Sequence, residues 1–168
     1  MTKDAYFPEG GIFMRLMELL KPEYVKIGID GKNKDDVLQN IAGFISEVHV
    51  SIDKKDAYKA IADREKKGST GLGNGLAIPH GRSPKVDGMH LVVIYDREGK
   101  DFEAYDKKPS HLFFAAITSD DYSPHEQLEV LRIIAEIYEK TDIGMAVSNI
   151  KNTMDLYNLL LRKEEEIS

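Results

Sequence analysis

Two stretches of this chain, Met89-His-Leu-Val-Val-Ile-Tyr95 and His111-Leu-Phe-Phe-Ala-Ala-Ile117, are apolar at nearly every position. A strand with one wet face alternates apolar and polar side chains, so an apolar run of this length reads as a buried strand. The segments around these runs carry a different period. Val37, Leu38, Ile41, Phe44, Ile45 and Val48 fall on one stripe of a helix, as do Leu128, Leu131, Ile134, Ala135 and Tyr138. Strands separated by helices predict an α/β layer structure. A length of 168 residues suits one compact domain with a real core, and no linker divides it.

Punctuation places the other elements. Residues 1–11 are polar or flexible and end in Gly10-Gly11, which predicts a loosely held N-terminal arm ahead of a domain at residues 12–168. Ile12 to Leu20 reads as a short amphipathic helix stopped by Pro22, and Tyr24 to Ile29 as a strand. Asp53 is placed to cap a helix through Ala57, Tyr58 and Ile61 that Gly68 ends, with Arg64 in its last turns. Asp96 to Lys100 reads as a turn. Ser123, Pro124 and Glu126 make a capping box with proline at the first helical position, so a helix begins at Pro124 and carries His125 in its first turn. Thr141 and Thr153 are candidate caps for two closing helices, and the charged tail from Arg162 reads as solvated.

Composition narrows the function classes. No cysteine is present, so no disulfide framework forms, and the opening residues lack an apolar signal core. No apolar run approaches the ~20 residues that span a bilayer. These features predict a cytoplasmic protein with no membrane insertion. The net charge of −6 disfavours nucleic acid and favours a protein partner with a basic face.

The chemistry is concentrated in Lys67-Gly-Ser-Thr-Gly-Leu-Gly-Asn-Gly-Leu-Ala-Ile-Pro-His-Gly-Arg82. Gly68, Gly71, Gly73 and Gly75 allow positive φ or the close approach of another surface, and the stretch reads as a loop built for access. His80 follows Pro79, so its imidazole sits on a stiff, extended segment. Neutral imidazole is a nucleophile, and Arg82, Ser69, Thr70 and the loop amides suit a tetrahedral oxyanion. The glycines match neither the dinucleotide fingerprint, since position 76 is Leu, nor the P-loop, which needs Gly-Lys-Ser/Thr. The residues point to a phosphohistidine site. Five histidines and 29 acids could also serve a metal-dependent hydrolase, but no His-Glu-x-x-His or paired spacing supports one. His49, His90 and His111 read as structural, the first as a surface or last-turn histidine.

The run from Arg64-Glu-Lys-Lys-Gly-Ser-Thr-Gly-Leu-Gly-Asn-Gly-Leu-Ala-Ile-Pro-His80 to Arg82 resembles the active-site signature of the fructose/mannitol-class EIIA domains of the bacterial phosphoenolpyruvate-dependent sugar phosphotransferase system, including their nitrogen-related regulatory branch. Leu16-Met-Glu-Leu-Leu-Lys-Pro-Glu-Tyr-Val-Lys-Ile and Phe102-Glu-Ala-Tyr-Asp-Lys-Lys-Pro-Ser-His-Leu-Phe-Phe extend the likeness, over roughly residues 12 to 162. The resemblance implies a mixed central β-sheet with helices on both faces. It implies that His80, through Nε2, takes a phosphoryl group from the carrier HPr and passes it to a cysteine of an EIIB domain, which a chain without cysteine must find on another molecule. It adds Arg64 to Ser69, Thr70 and Arg82 as expected phosphoryl-binding residues, carried by the loop residues Gly71, Gly73, Asn74 and Gly75, and it makes His125 the histidine beside the phosphorylated one. No metal or organic cofactor is implied. Asp120 and Asp121 depart from the family, which often has small residues or proline there. The same chemistry also serves a regulator, in which phosphorylation of His80 controls docking to a target and no sugar moves.

Overall fold

A computed structural model describes residues 15–168, so the expected arm and residues 12–14 of the first expected helix lie outside the described residues. The two apolar runs form β5 (Met89–Lys100) and β6 (Ser110–Ser119), paired antiparallel from Met89 opposite Thr118 to Tyr95 opposite Leu112. Alternation along each strand divides their side chains between two cores. Leu91, Val93, Leu112, Phe114 and Ala116 face α3 (Pro124–Lys140), α4 (Ile143–Ala146) and α5 (Thr153–Glu166); Val92, Ile94, Phe113, Ala115 and Ile117 face α1 (Lys34–Val48) and α2 (Lys54–Glu65). A strand with a core on each side has no position left for a polar side chain, which is why these runs are apolar throughout. Each fully buried leucine or isoleucine contributes ~1.5–3 kcal/mol.

The sheet order is β1 (Val25–Ile27), β5, β6, β3 (Leu76–Ala77), β2 (Gly71–Gly73), with β4 (His80–Ser83) also on the edge of β6. β1 lies parallel to β5, while β3 and β4 lie parallel to β6, so the sheet is mixed with helices on both faces, as expected. The glycine-rich stretch is therefore not a loop. β2 and β3 form a hairpin, and β3 and β4 run end to end along β6, interrupted at Ile78-Pro79. Proline cannot donate to the ladder, and its carbonyl accepts the Ala116 N–H at 3.0 Å instead.

Other expectations shift by local causes. The described part of the first expected helix is one 3-10 turn, Leu16–Glu18, held by the buried Glu164 of α5, whose carboxylate accepts the N–H groups of Leu16 and Met17. Glu164 belongs to the stretch read as a solvated tail. Asp96–Lys100 is not a simple turn: β5 continues through it with a register break, and Asp96 accepts bonds from Ile29, Gly99 and Lys100. The buried face of α3 is Val130, Ile133, Ile134 and Ile137, leaving Leu128 64% exposed. Asn152 rather than Thr153 caps α5. His49 is buried, not on the surface: its Nε2 donates to the Leu91 carbonyl at 3.1 Å and its Nδ1 lies 3.3 Å from the Nδ1 of His90.

Candidate active site

Asp53 caps α2, accepting the N–H groups of Lys55 and Asp56, and the helix runs to Glu65 with Arg64 in its last turn. Gly68, at φ +150°, takes the chain out of the helix. α2 lies directly on β4. A Cβ at Gly81 would stand 2.2 Å from the Ala60 carbonyl oxygen, so only glycine lets the helix approach this closely. This contact brings the end of α2 over His80.

The His80 ring is partly buried, and its Nδ1 lies 2.8 Å from the Ile78 carbonyl oxygen. A carbonyl only accepts, so Nδ1 carries the proton and the neutral ring has its lone pair on Nε2. Burial holds the imidazole below its ordinary pKa, and Arg64 and Arg82 push the same way; the Ile78 bond and Glu65 oppose them. His80 lines a cleft of about 340 Å³ with Asp63, Arg64, Lys67, Arg82 and Gln127. Three cations face one carboxylate there, an anion-attracting concavity in a chain of net charge −6.

The expected site residues divide into two groups. Arg64, His80 and Arg82 come together on the cleft. Arg64 donates to the Gly68 carbonyl at 2.9 Å. Arg82 is a clamp as well as a charge: Nη1 donates to the carbonyls of Asp120 at 3.0 Å and Tyr122 at 2.9 Å, and Nη2 to Gln127 Oε1 at 2.6 Å. These bonds fix the acidic loop ahead of α3. Ser69 and Thr70 belong elsewhere. Thr70 is buried, its hydroxyl donating to Glu65 Oε1 at 2.6 Å, and the Ser69 hydroxyl donates to the Phe102 carbonyl at 3.3 Å. Both hydroxyls serve the framework behind the cleft.

The hairpin residues are structural too. Gly71 packs where a Cβ would meet Ala104 Cα at 2.9 Å; Gly73, Asn74 and Gly75 all have positive φ; and the Asn74 N–H donates to Asp106 at 2.9 Å. His125 is exposed in the first turn of α3, and it is not among the residues lining the cleft. The residue α3 contributes there is Gln127. Lys67, Gln127, Gly81 and Glu65 were missed in the sequence. Lys67 follows Arg64 by one helical turn and was detectable by that spacing; the others depend on how α2 and α3 dock. Among the described residues no group of three or more His, Asp or Glu is placed to hold a metal ion.

The profile of the family described as "Phosphoenolpyruvate-dependent sugar phosphotransferase system, EIIA 2" matches residues 18–163. The chain belongs to this EIIA family. Its relatives cover both branches of it. A nitrogen regulatory protein of Pseudomonas aeruginosa is 30% identical over 148 residues, 88% of this chain and 96% of its own. The fructose-specific EIIABC component of Bacillus subtilis is 28% identical over 77% of this chain and 20% of its own. Among solved structures, the nitrogen regulatory protein IIA-Ntr of Neisseria meningitidis superposes with a TM-score of 0.77 at 29% identity, over 85% of this chain and 97% of that one. As an EIIA-family member this chain is of a phosphotransferase type, and among the described residues no helix is long and apolar enough to cross a membrane.

Proposed function

We propose that His80 accepts a phosphoryl group on Nε2 from an HPr-like phosphocarrier protein. The observation that carries this reading is the pairing of a committed Nδ1–H with a cation-lined cleft at the same ring. The Nε2 lone pair attacks phosphorus, the bond from phosphorus to the donor histidine breaks, and its electron pair returns to the donor ring. Charge spreads over three phosphoryl oxygens in transit, so catalysis rests on positioning and on positive charge. Arg64 and Lys67 supply that charge, and Arg82 adds its field while holding the rim. His125, exposed beside the acidic loop, serves the onward step.

The phosphorylated protein acts as a regulator, its state at His80 controlling docking to a target protein; the nitrogen regulatory relative matched over 96% of its length supports this use. The likeness to a fructose-specific component supports a second one, delivery of the phosphoryl group to a cysteine of a separate EIIB protein during sugar uptake. Incubation with phosphoenolpyruvate, enzyme I and HPr tests the shared step. Wild type should acquire one acid-labile phosphate and His80→Ala none, whereas His125→Ala should be labelled but slow in onward transfer. Labelling of His80→Ala refutes the reading. Transfer of the label to a purified EIIB separates the transport use from the regulatory one.

A further inference from the structure

Behind His80 a chain of hydrogen bonds leads to a buried ion pair. Glu65 ends α2 with its side chain only 4% exposed, and its Oε2 lies 2.7 Å from Lys34 Nζ of α1. The same carboxylate accepts the Thr70 N–H at 2.7 Å and the Thr70 hydroxyl at 2.6 Å. The Thr70 carbonyl accepts the Ile78 N–H at 2.9 Å, and the Ile78 carbonyl accepts His80 Nδ1–H at 2.8 Å. Every link from the Lys34 ammonium to the nucleophile's ring is closed.

A buried ion pair adds little net stability, because desolvation offsets most of its attraction. What it does fix is one geometry. A carboxylate only accepts, so it engages both Thr70 donors as well as the Lys34 ammonium. Thr70 then has one position, and Ile78, bonded to it, presents its carbonyl at one angle.

The geometry points to Glu65 as a positioning residue for His80: anchored by Lys34, it fixes Thr70 and Ile78 so that the imidazole proton stays on Nδ1 and the lone pair on Nε2. This rests on the phosphohistidine reading. The negative charge of Glu65 also supports the basicity of the ring against Arg64 and Arg82. Glutamine would keep the shape but lose the charge: with its oxygen toward Lys34 and the Thr70 N–H, its NH₂ can donate to the Thr70 hydroxyl, which also accepts. Methionine removes both acceptors and the charge together.

The test is two-bond ¹H–¹⁵N NMR of His80 across pH in the unphosphorylated full chain, beside its rate of phosphoryl uptake from phospho-HPr. Glu65→Met should mix the tautomers of His80, move its titration midpoint down, and slow uptake by roughly tenfold to a hundredfold. A merely structural loss would admit water and move the midpoint up toward the ordinary value, so the sign separates the two. Thr70→Val, which keeps the charge, should mix the tautomers and lower the midpoint less than Glu65→Met does, and Thr70→Ser should restore the wild-type spectrum. If Glu65→Met does not fold, Thr70→Val decides. Variants that keep the Nδ1–H tautomer and the wild-type rate overturn the proposal. A wild type that takes no phosphate removes the reading of His80, while the tautomer still reports whether Glu65 holds the ring.

Discussion

The proposed role of His80 rests on the unequal use of its two nitrogens. Nδ1 is bound to the Ile78 carbonyl and Nε2 keeps its lone pair, while burial holds the imidazole below its ordinary pKa. Uptake of phosphate should therefore stay level as pH falls through about 6.5 and decline only below it. A pH–rate profile that is already half lost above pH 6.5 would contradict this. Gly81 governs the same site from below. Gly81→Ala sets a methyl against the Ala60 carbonyl, a backbone atom that cannot move aside, so α2 must lift. The expected cost is about 1–3 kcal/mol of stability, with slower uptake, read by urea denaturation and by the labelling assay. A variant as stable as wild type would show that the helix has room to spare.

At the scale of elements, α2 is the arm that carries Arg64 to the cleft, and its first turn depends on Asp53, which accepts two otherwise unpaired N–H groups. Asp53→Ala should cost about 1 kcal/mol, seen as a lower urea midpoint at unchanged slope; no shift would mean that docking alone holds the helix end. Local rules made this cap legible in the sequence, as they did the extended segment at Pro79-His80 and the Ser123 cap of α3. The glycine stretch was read as a loop although Asn74-Gly75, two positive-φ residues between β2 and β3, is a local hairpin signal; the pairing of β3 and β4 with β6, Leu76 with Leu112 and His80 with Ala116, has no local signal. Thr70 was read as a phosphoryl ligand because residue type fits that role equally well; only tertiary structure shows that Glu65 takes its hydroxyl. The stripe on α3 was misplaced for a related reason. Leu128 fits the helical period, but the docking angle against β5 and β6 turns it to solvent.

The whole molecule couples this site to pH through its histidines. Burial lowers the pKa of His49 in the folded state, with His90 and Lys21 acting in the same direction against the Leu91 bond. A depressed histidine binds its proton more readily when unfolded. Its contribution is therefore complete above the unfolded value of about 6.5 and is lost as pH falls through that value toward the folded one. His80 has the same sign, whereas the raised carboxyl of Glu164 runs the other way. Comparing His49→Gln with wild type isolates the histidine: wild type should lose more stability between pH 7.5 and 5.5 than the variant, and equal losses would contradict the assignment. The acidic chain, with cations lining the cleft at His80, also fits the proposed partner that brings both a basic face and a phosphate. Whether that phosphate comes to rest where the geometry directs it is open to direct measurement, by two-bond ¹H–¹⁵N NMR of the phosphorylated protein. The expected result is a single phosphohistidine at His80 bonded through Nε2, with Nδ1 still protonated; phosphate on Nδ1, or on any other residue, would contradict the account.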